Sequence, residues 1–126
     1  MTQTKRHTGM TLVEILVVVS LMAVLGTAVA MAVVPRMQDA RIKATQADAR
    51  TLRTAAQSYL IDSGVCPGSV DLLRAEGYLD RASRRTDAWG GELHVSCGGG
   101  GIDVRSPGPD GELGTEDDIV VPDAPA

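Results

Sequence analysis

The chain has 126 residues, room for one membrane-length apolar segment and one small domain but not for two full cores. Its net charge of −4 and the lack of a basic, aromatic-interleaved surface argue against nucleic acid as a partner. With no Phe, one Trp and two Tyr, a large aromatic-lined ligand pocket is not expected; no nucleophile, base and orienting group can be assembled from His94, Cys66, Cys97 and scattered serines, so the chain does not read as an enzyme.

Residues Met1 to Gly9 are short, polar and positively charged through Lys5 and Arg6, and they end in a Gly. From Met10 to Val34 the chain is apolar or small apart from Thr11, Glu14, Ser20 and Thr27. The part after Glu14 would make a helix about 30 Å long, close to the thickness of a bilayer's hydrocarbon core. A carboxylate at Glu14 costs roughly 2.5 to 3.5 kcal/mol at mid-membrane and less near an end, so it must be neutralised or reach water. Snorkelling, helped by the positive end of the helix dipole, would make this an ordinary signal anchor. A secretory signal would carry its small-residue cleavage site after the apolar region. Here the candidate processing point, Gly9, precedes it, so the helix would survive maturation.

Pro35 kinks or weakens the helix, and Gly26 is a second soft point. Arg36, Arg41, Lys43, Arg50 and Arg53 form a basic run that could meet lipid headgroups or acidic neighbours. Leu52, Ala55, Ala56, Tyr59 and Leu60 then recur at three- and four-residue spacing, an apolar stripe that would pack against the following domain. Ala40, Ala44 and Ala47 are small enough to allow a neighbouring helix to approach. Asp62-Ser63-Gly64 stops the rod. A short helix is expected from Ser69 to about Glu76, with Ser69 as N-cap, Leu72 and Leu73 inward and Gly77 as the stop. Tyr78-Leu79 would dock back on the rod. Glu92 to Cys97, Ile102 to Ser106 and Ile119 to Val121 read as three strands, the first two joined through Gly98 to Gly101. That glycine run is a hairpin connection and not a phosphate loop, since no GK[ST] and no helix pattern follow.

Cys66 and Cys97 lie in the part that would be exported if Lys5, Arg6 and His7 stay inside, so they read either as a disulfide or as two small buried thiols. Their spacing does not suit zinc. Between Ser106 and Ile119 the carboxylates of Asp110, Glu112, Glu116, Asp117 and Asp118 crowd into a Gly-rich loop that suits a hard cation such as calcium, or else is a solvated acidic turn. The EF-hand spacing is absent.

Gly9-Met10-Thr11-Leu12-Val13-Glu14, followed by Ile15 to Ser20, resembles the N-terminal signature of type IV pilins and pseudopilins. The resemblance implies that a prepilin peptidase cuts after Gly9 and methylates Met10, where most members have Phe, and that Glu14 meets the N-terminal amine of a neighbouring subunit during assembly. Asp87-Ala88-Trp89-Gly90-Gly91 is similar to the D-P-W-G-N run of the major pseudopilins of type II secretion, with Ala88 in place of Pro. Ser106 to Ile119 resembles their C-terminal calcium loop, with Pro107 and Pro109 added; matching positions imply Asp110, Asp117 and Asp118 as side-chain ligands. The implied fold is α+β, a pilin-like lollipop whose long N-terminal helix packs on a small antiparallel sheet. It divides into a removed leader (1–9), a membrane and filament-core helix (10–34), its amphipathic continuation (35–62) and a periplasmic head (63–126). The implied work is filament growth that drives protein export, with self-association, other pilin-like subunits and inner-membrane assembly proteins as partners. The protein would cross the bacterial inner membrane once, N-terminus in the cytoplasm. A pilin for adhesion, motility or DNA uptake is the nearest alternative, and a monomeric membrane-anchored calcium-binding module is the alternative of another class.

Overall fold

The structure, a computed structural model, describes residues 9–122. Most of the expected leader, residues 1–8, and the last four residues of the expected head lie outside them. The element order is a long helix α1 (Leu12–Ser63), a short helix α2 (Val70–Ala75), and strands β1 (His94–Gly98), β2 (Gly101–Ser106) and β3 (Ile119–Val121). The chain forms two compact units, Met1–Met37 and Gln38–Ala126.

In the first unit, α1 begins at Leu12, two residues later than the apolar stretch itself. Its apolar side chains are uncovered: Leu12, Leu16, Leu21, Met22, Val24 and Leu25 are all more than half exposed. The polar groups inside the stretch are satisfied by the helix's own backbone. Ser20 Oγ donates to the Leu16 carbonyl at 2.8 Å and Thr27 Oγ1 to that of Ala23 at 2.9 Å. A helix whose hydroxyls are bonded to its own backbone and whose apolar surface is bare is the form that hydrocarbon accepts. Pro35 lies within the span assigned to α1, which is unbroken there.

In the second unit, the inward face of α1 is Thr45, Ala49, Leu52, Ala55 and Ala56, all buried, with Tyr59 and Leu60 packed at the margin. Ala40, Ala44 and Ala47 lie on exposed positions instead. Against the stripe pack Val70, Leu73, Leu79, Leu93, Ile102, Val104 and Val121. Gly64, at φ +72°, closes α1 by donating its N–H to the Leu60 carbonyl at 2.8 Å.

Helix α2 starts where the Ser69 hydroxyl accepts from Leu72 N–H. It turns Val70 and Leu73 into the core, leaving Leu72 half-buried, so the expected Leu72–Leu73 pair is replaced by a pair at i and i+3. Leu79 is buried, and Tyr78 meets Tyr59 edge to face at 5.4 Å between ring centroids. The Tyr78 hydroxyl donates to Asp62 at 2.8 Å, and this bond raises the phenol pKa above its ordinary 10.0.

The sheet has the order β1-β2-β3, antiparallel throughout. Gly98 pairs with Gly101, so the hairpin turn is Gly99-Gly100. Strand β1 begins at His94 and not at Glu92, because Leu93 N–H is taken by the Arg85 carbonyl and Glu92 forms a separate bridge with Thr86. Along β2, Ile102, Val104 and Ser106 alternate inward, and Arg53 of α1 ties the strand down by donating Nε to the Ile102 carbonyl at 2.8 Å. A disulfide joins Cys66, between the helices, to Cys97 of β1, with Cα atoms 6.1 Å apart.

Candidate functional site

The first site is the start of α1. Thr11 Oγ1 accepts the Glu14 N–H at 3.3 Å, and Glu14 Oε2 accepts the Thr11 N–H at the same distance. This is a reciprocal cap that satisfies two donors the helix end would otherwise leave open. The sequence points Glu14 to water, to the helix dipole or to a neighbouring subunit's amine, and this local partner was missed. The signal was present as the T-x-x-E spacing Thr11-Leu12-Val13-Glu14. Gly9 and Met10 lie just outside the helix and are exposed, so the Gly9–Met10 bond is accessible.

The second site is the loop between β2 and β3, held by a buried carboxylate that the sequence did not single out as a residue. Asp87, 4 % exposed, accepts Trp89 N–H at 2.9 Å and Gly91 N–H at 2.7 Å through Oδ1, and Ser106 Oγ at 2.7 Å through Oδ2. Ser106 Oγ in turn accepts Gly108 N–H at 3.1 Å. Next to it, Thr45 Oγ1 of α1 accepts Ala88 N–H at 3.1 Å. The Asp-Ala-Trp-Gly-Gly run and the acidic loop are thus joined by one hydrogen-bonded cluster. The loop leaves β2 through a single 3-10 turn at Gly108–Asp110. Gly108 has φ +68°, and a Cβ there would run into the Asp117 carbonyl, so the two arms of the loop approach closely only because this residue is glycine.

The carboxylates of the loop fall into different settings. Asp110 Oδ2 accepts Thr115 Oγ1 at 2.6 Å and Oδ1 accepts Glu112 N–H at 3.1 Å. The Thr115 bond first, then the Glu112 amide, hold its pKa below the ordinary 3.8. Asp118 Oδ2 accepts Gly114 N–H at 2.8 Å, while its Oδ1 is buried with no hydrogen-bond partner. Asp117 is exposed, and its backbone carbonyl faces Gly108. Glu116, Asp117 and Asp118 also line a cleft with Pro109 and, from α1, Ile42 and Gln46. Among the described residues no three His, Cys, Asp or Glu side chains converge as a metal cluster. Asp110, Asp117 and Asp118 therefore share a loop without meeting at one point.

The comparisons agree on the kind of protein this is. Residues 4–33 match the family model described as the prokaryotic N-terminal methylation motif. The type II secretion system core protein G of Escherichia coli K12 is 32 % identical, over 94 % of this chain and 93 % of its own length. The chain belongs to the type II secretion system core protein G family. That of Aeromonas hydrophila is likewise 32 % identical, over 93 % of each chain. The crystal structure of the major pseudopilin from the type 2 secretion system of enterohaemorrhagic Escherichia coli shares the fold, with a TM-score of 0.56 and 27 % identity over 69 % of this chain and 87 % of that one. The long apolar helix followed by a small three-stranded antiparallel head is the pseudopilin fold, and the chain is a pseudopilin subunit of type II secretion.

Proposed function

We propose that this pseudopilin is held in the bacterial inner membrane by residues 10–34, N-terminus in the cytoplasm and head in the periplasm. Prepilin peptidase cuts after Gly9 and methylates Met10, and the processed subunits are drawn into a filament whose growth drives protein export. One observation carries this reading: the exposed carboxylate of Glu14 stands at the head of a helix whose apolar surface is bare. A permanent membrane anchor needs the bare surface and could use the acid only as a cap, whereas in a helix that leaves lipid for a bundle of like helices the same acid can also meet a neighbour's charge. In the single chain one oxygen of the exposed carboxylate accepts the Thr11 N–H. In the filament a neighbour's amine would take it over, exchanging a neutral donor for a charged one. The work is mechanical, and no catalytic residue is proposed.

Calcium would act in the head. The donors present are hard oxygens, and the unpartnered buried Oδ1 of Asp118 is an acceptor that a cation would satisfy. Asp110, Asp117 and Asp118 do not meet at one point, so together they would hold an ion only with the loop closed around it, Asp118 supplying its free Oδ1. The ion would offset two of the five negative charges of a loop that has no Lys or Arg between Pro107 and Pro122.

The test is Glu14→Ala in a cell carrying the complete secretion apparatus, together with mass spectrometry of the mature chain. The expected outcome is an N-methylated Met10 at the start of the native protein and, in the variant, loss of both filament incorporation and secretion. A Met1 N-terminus in a cell with active peptidase sinks the processing step. Normal filaments and secretion from the variant sink the role of Glu14.

A further inference from the structure

Within the second unit, α1 has two opposed faces. Thr45, Ala49, Leu52 and Ala56 point into the core. Ala40, Lys43, Ala47, Arg50 and Thr54, at alternating three- and four-residue steps, lie on the opposite side, and all five are exposed. This outer stripe alternates cations with small residues. A long charged side chain flanked by alanines leaves room for a partner surface to come close to the helix.

Among the described residues neither cation has an ion-pair partner, the pair present there being Arg85–Asp71 at 3.5 Å. The opposite charge is concentrated in the acidic loop, which lines a cleft with Ile42 and Gln46 on another side of the same helix. Glu112 and Glu116, exposed members of the acidic loop, have no cation paired with them, and no Lys or Arg lies between Pro107 and Pro122. One molecule thus carries an unpaired cationic face and an unpaired anionic face. Two copies related by a rotation and a rise satisfy both at once, in a head-to-tail contact that repeats without closing.

We propose that Lys43 and Arg50 form an interface for the acidic loop of a second copy of this chain, through Glu112 and Glu116. The inference rests on the filament reading above and specifies which surfaces of the heads meet. An anionic membrane surface is the other occupant with suitable chemistry. Lys43 lies nine residues past Val34, about 14 Å of helix and at the edge of the reach set by a headgroup layer about 5–7 Å deep and screening within about 8–10 Å, whereas Arg50, sixteen residues past Val34 and about 24 Å of helix, lies well beyond it. The reach favours protein over lipid.

The test uses the full chain in filaments assembled by its own secretion apparatus, from a mixture of isotope-labelled and unlabelled subunits. A zero-length carbodiimide joins an amine to a carboxylate with loss of water. Lys43 is the one lysine between Gly9 and Pro122, so its cross-links are unambiguous. Peptides pairing labelled Lys43 with unlabelled Glu112 or Glu116 are expected from filaments and not from detergent-dispersed monomers. Lys43→Glu with Arg50→Glu is expected to lower filament incorporation roughly tenfold or more with the melting temperature of the monomer unchanged, and Glu112→Lys with Glu116→Lys in that background to restore much of it. Filaments in which Lys43 couples only within its own chain, or to nothing, overturn the proposal. So does unchanged incorporation of the double variant, or capture of Lys43 by a photoactivatable anionic phospholipid in place of protein. If wild-type subunits give no filament at all, the filament reading itself is what has failed.

Discussion

Ser106 Oγ sits 2.7 Å from Asp87 Oδ2, so the last residue of β2 is fastened to the turn that precedes β1 through a pair 19 positions apart in sequence. Ser106 also accepts the Gly108 amide, which makes this contact the root of the acidic loop. The order of the loop is therefore decided in the buried cluster as much as by its own carboxylates.

Replacing Asp87 by Ala leaves two backbone amides and a hydroxyl without their acceptor in a closed interior. Bonds to a charged group contribute about 1.5–3 kcal/mol each and are not additive, so a total loss of roughly 3 kcal/mol is expected. Urea unfolding of the detergent-solubilised protein measures it. Asp87→Asn, which keeps an acceptor oxygen, should lose less. Equal losses in the two variants would show that the site responds to packing and not to hydrogen bonding.

Leu52 is 1 % exposed at the centre of the stripe that faces the sheet. Leu52→Ala should destabilise the head by about 2–5 kcal/mol, whereas Ile61→Ala, at a side chain 81 % exposed, should stay within about 0.5 kcal/mol. Comparison of the two thermal midpoints checks the assignment of the faces.

How much of this was legible depended on how far apart the partners lie in the chain. Leu52, Ala55 and Ala56 announce a face through helical spacing alone, and Ile119 to Val121 is a strand with the expected ends. The same period carried upward through Ala49 leads to Thr45, a buried hydroxyl that the apolar stripe did not include, while Ala40, Ala44 and Ala47, expected as a face for a neighbouring helix, lie on exposed positions. In α2 the choice between Val70 and Leu72 is made by the Ser69 cap, which fixes the rotation of a helix too short to average out such an error. The Thr11–Glu14 box was written locally and could have been found. Asp87 could be noticed as an acid ahead of Trp-Gly-Gly, where its side chain can bond amides two and four residues on. Its partner Ser106 could not, because only the folded sheet brings the two together.

The disulfide closes a loop of 31 residues, running from the turn after α1 to the end of β1. In the chain-entropy model such a link stabilises by about 3 to 4 kcal/mol. Cys66→Ala with Cys97→Ala should lower the unfolding free energy by about that amount, and the wild-type protein under reducing conditions should follow it. Identical denaturation curves for oxidised and reduced protein would deny the bridge a stabilising role.

The acidic loop makes a prediction in which pH and calcium are linked. Asp110 is held below its ordinary carboxylate pKa by Thr115 and by the Glu112 amide, so its ionised form is the one the fold favours. A depressed pKa contributes stability that is complete above the unfolded value and fades as pH falls through the folded one. At neutral pH the group is fully charged and protons do not compete with a cation. If calcium takes this loop, it raises the thermal midpoint with a dependence on RT ln(1 + [Ca²⁺]/Kd), and a chelator reverses the rise. That rise should persist through mildly acidic pH, and the part of it that depends on Asp110 should be lost at a lower pH than an ordinary carboxylate would lose it. Thr115→Ala removes the strongest influence on Asp110, so the pH at which calcium ceases to stabilise should move upward while the neutral-pH response survives. Asp118→Asn removes the negative charge of the group whose Oδ1 lacks a partner, and it should weaken the neutral-pH response itself. Midpoints that ignore both calcium and chelator at every pH would leave the loop as a solvated acidic turn.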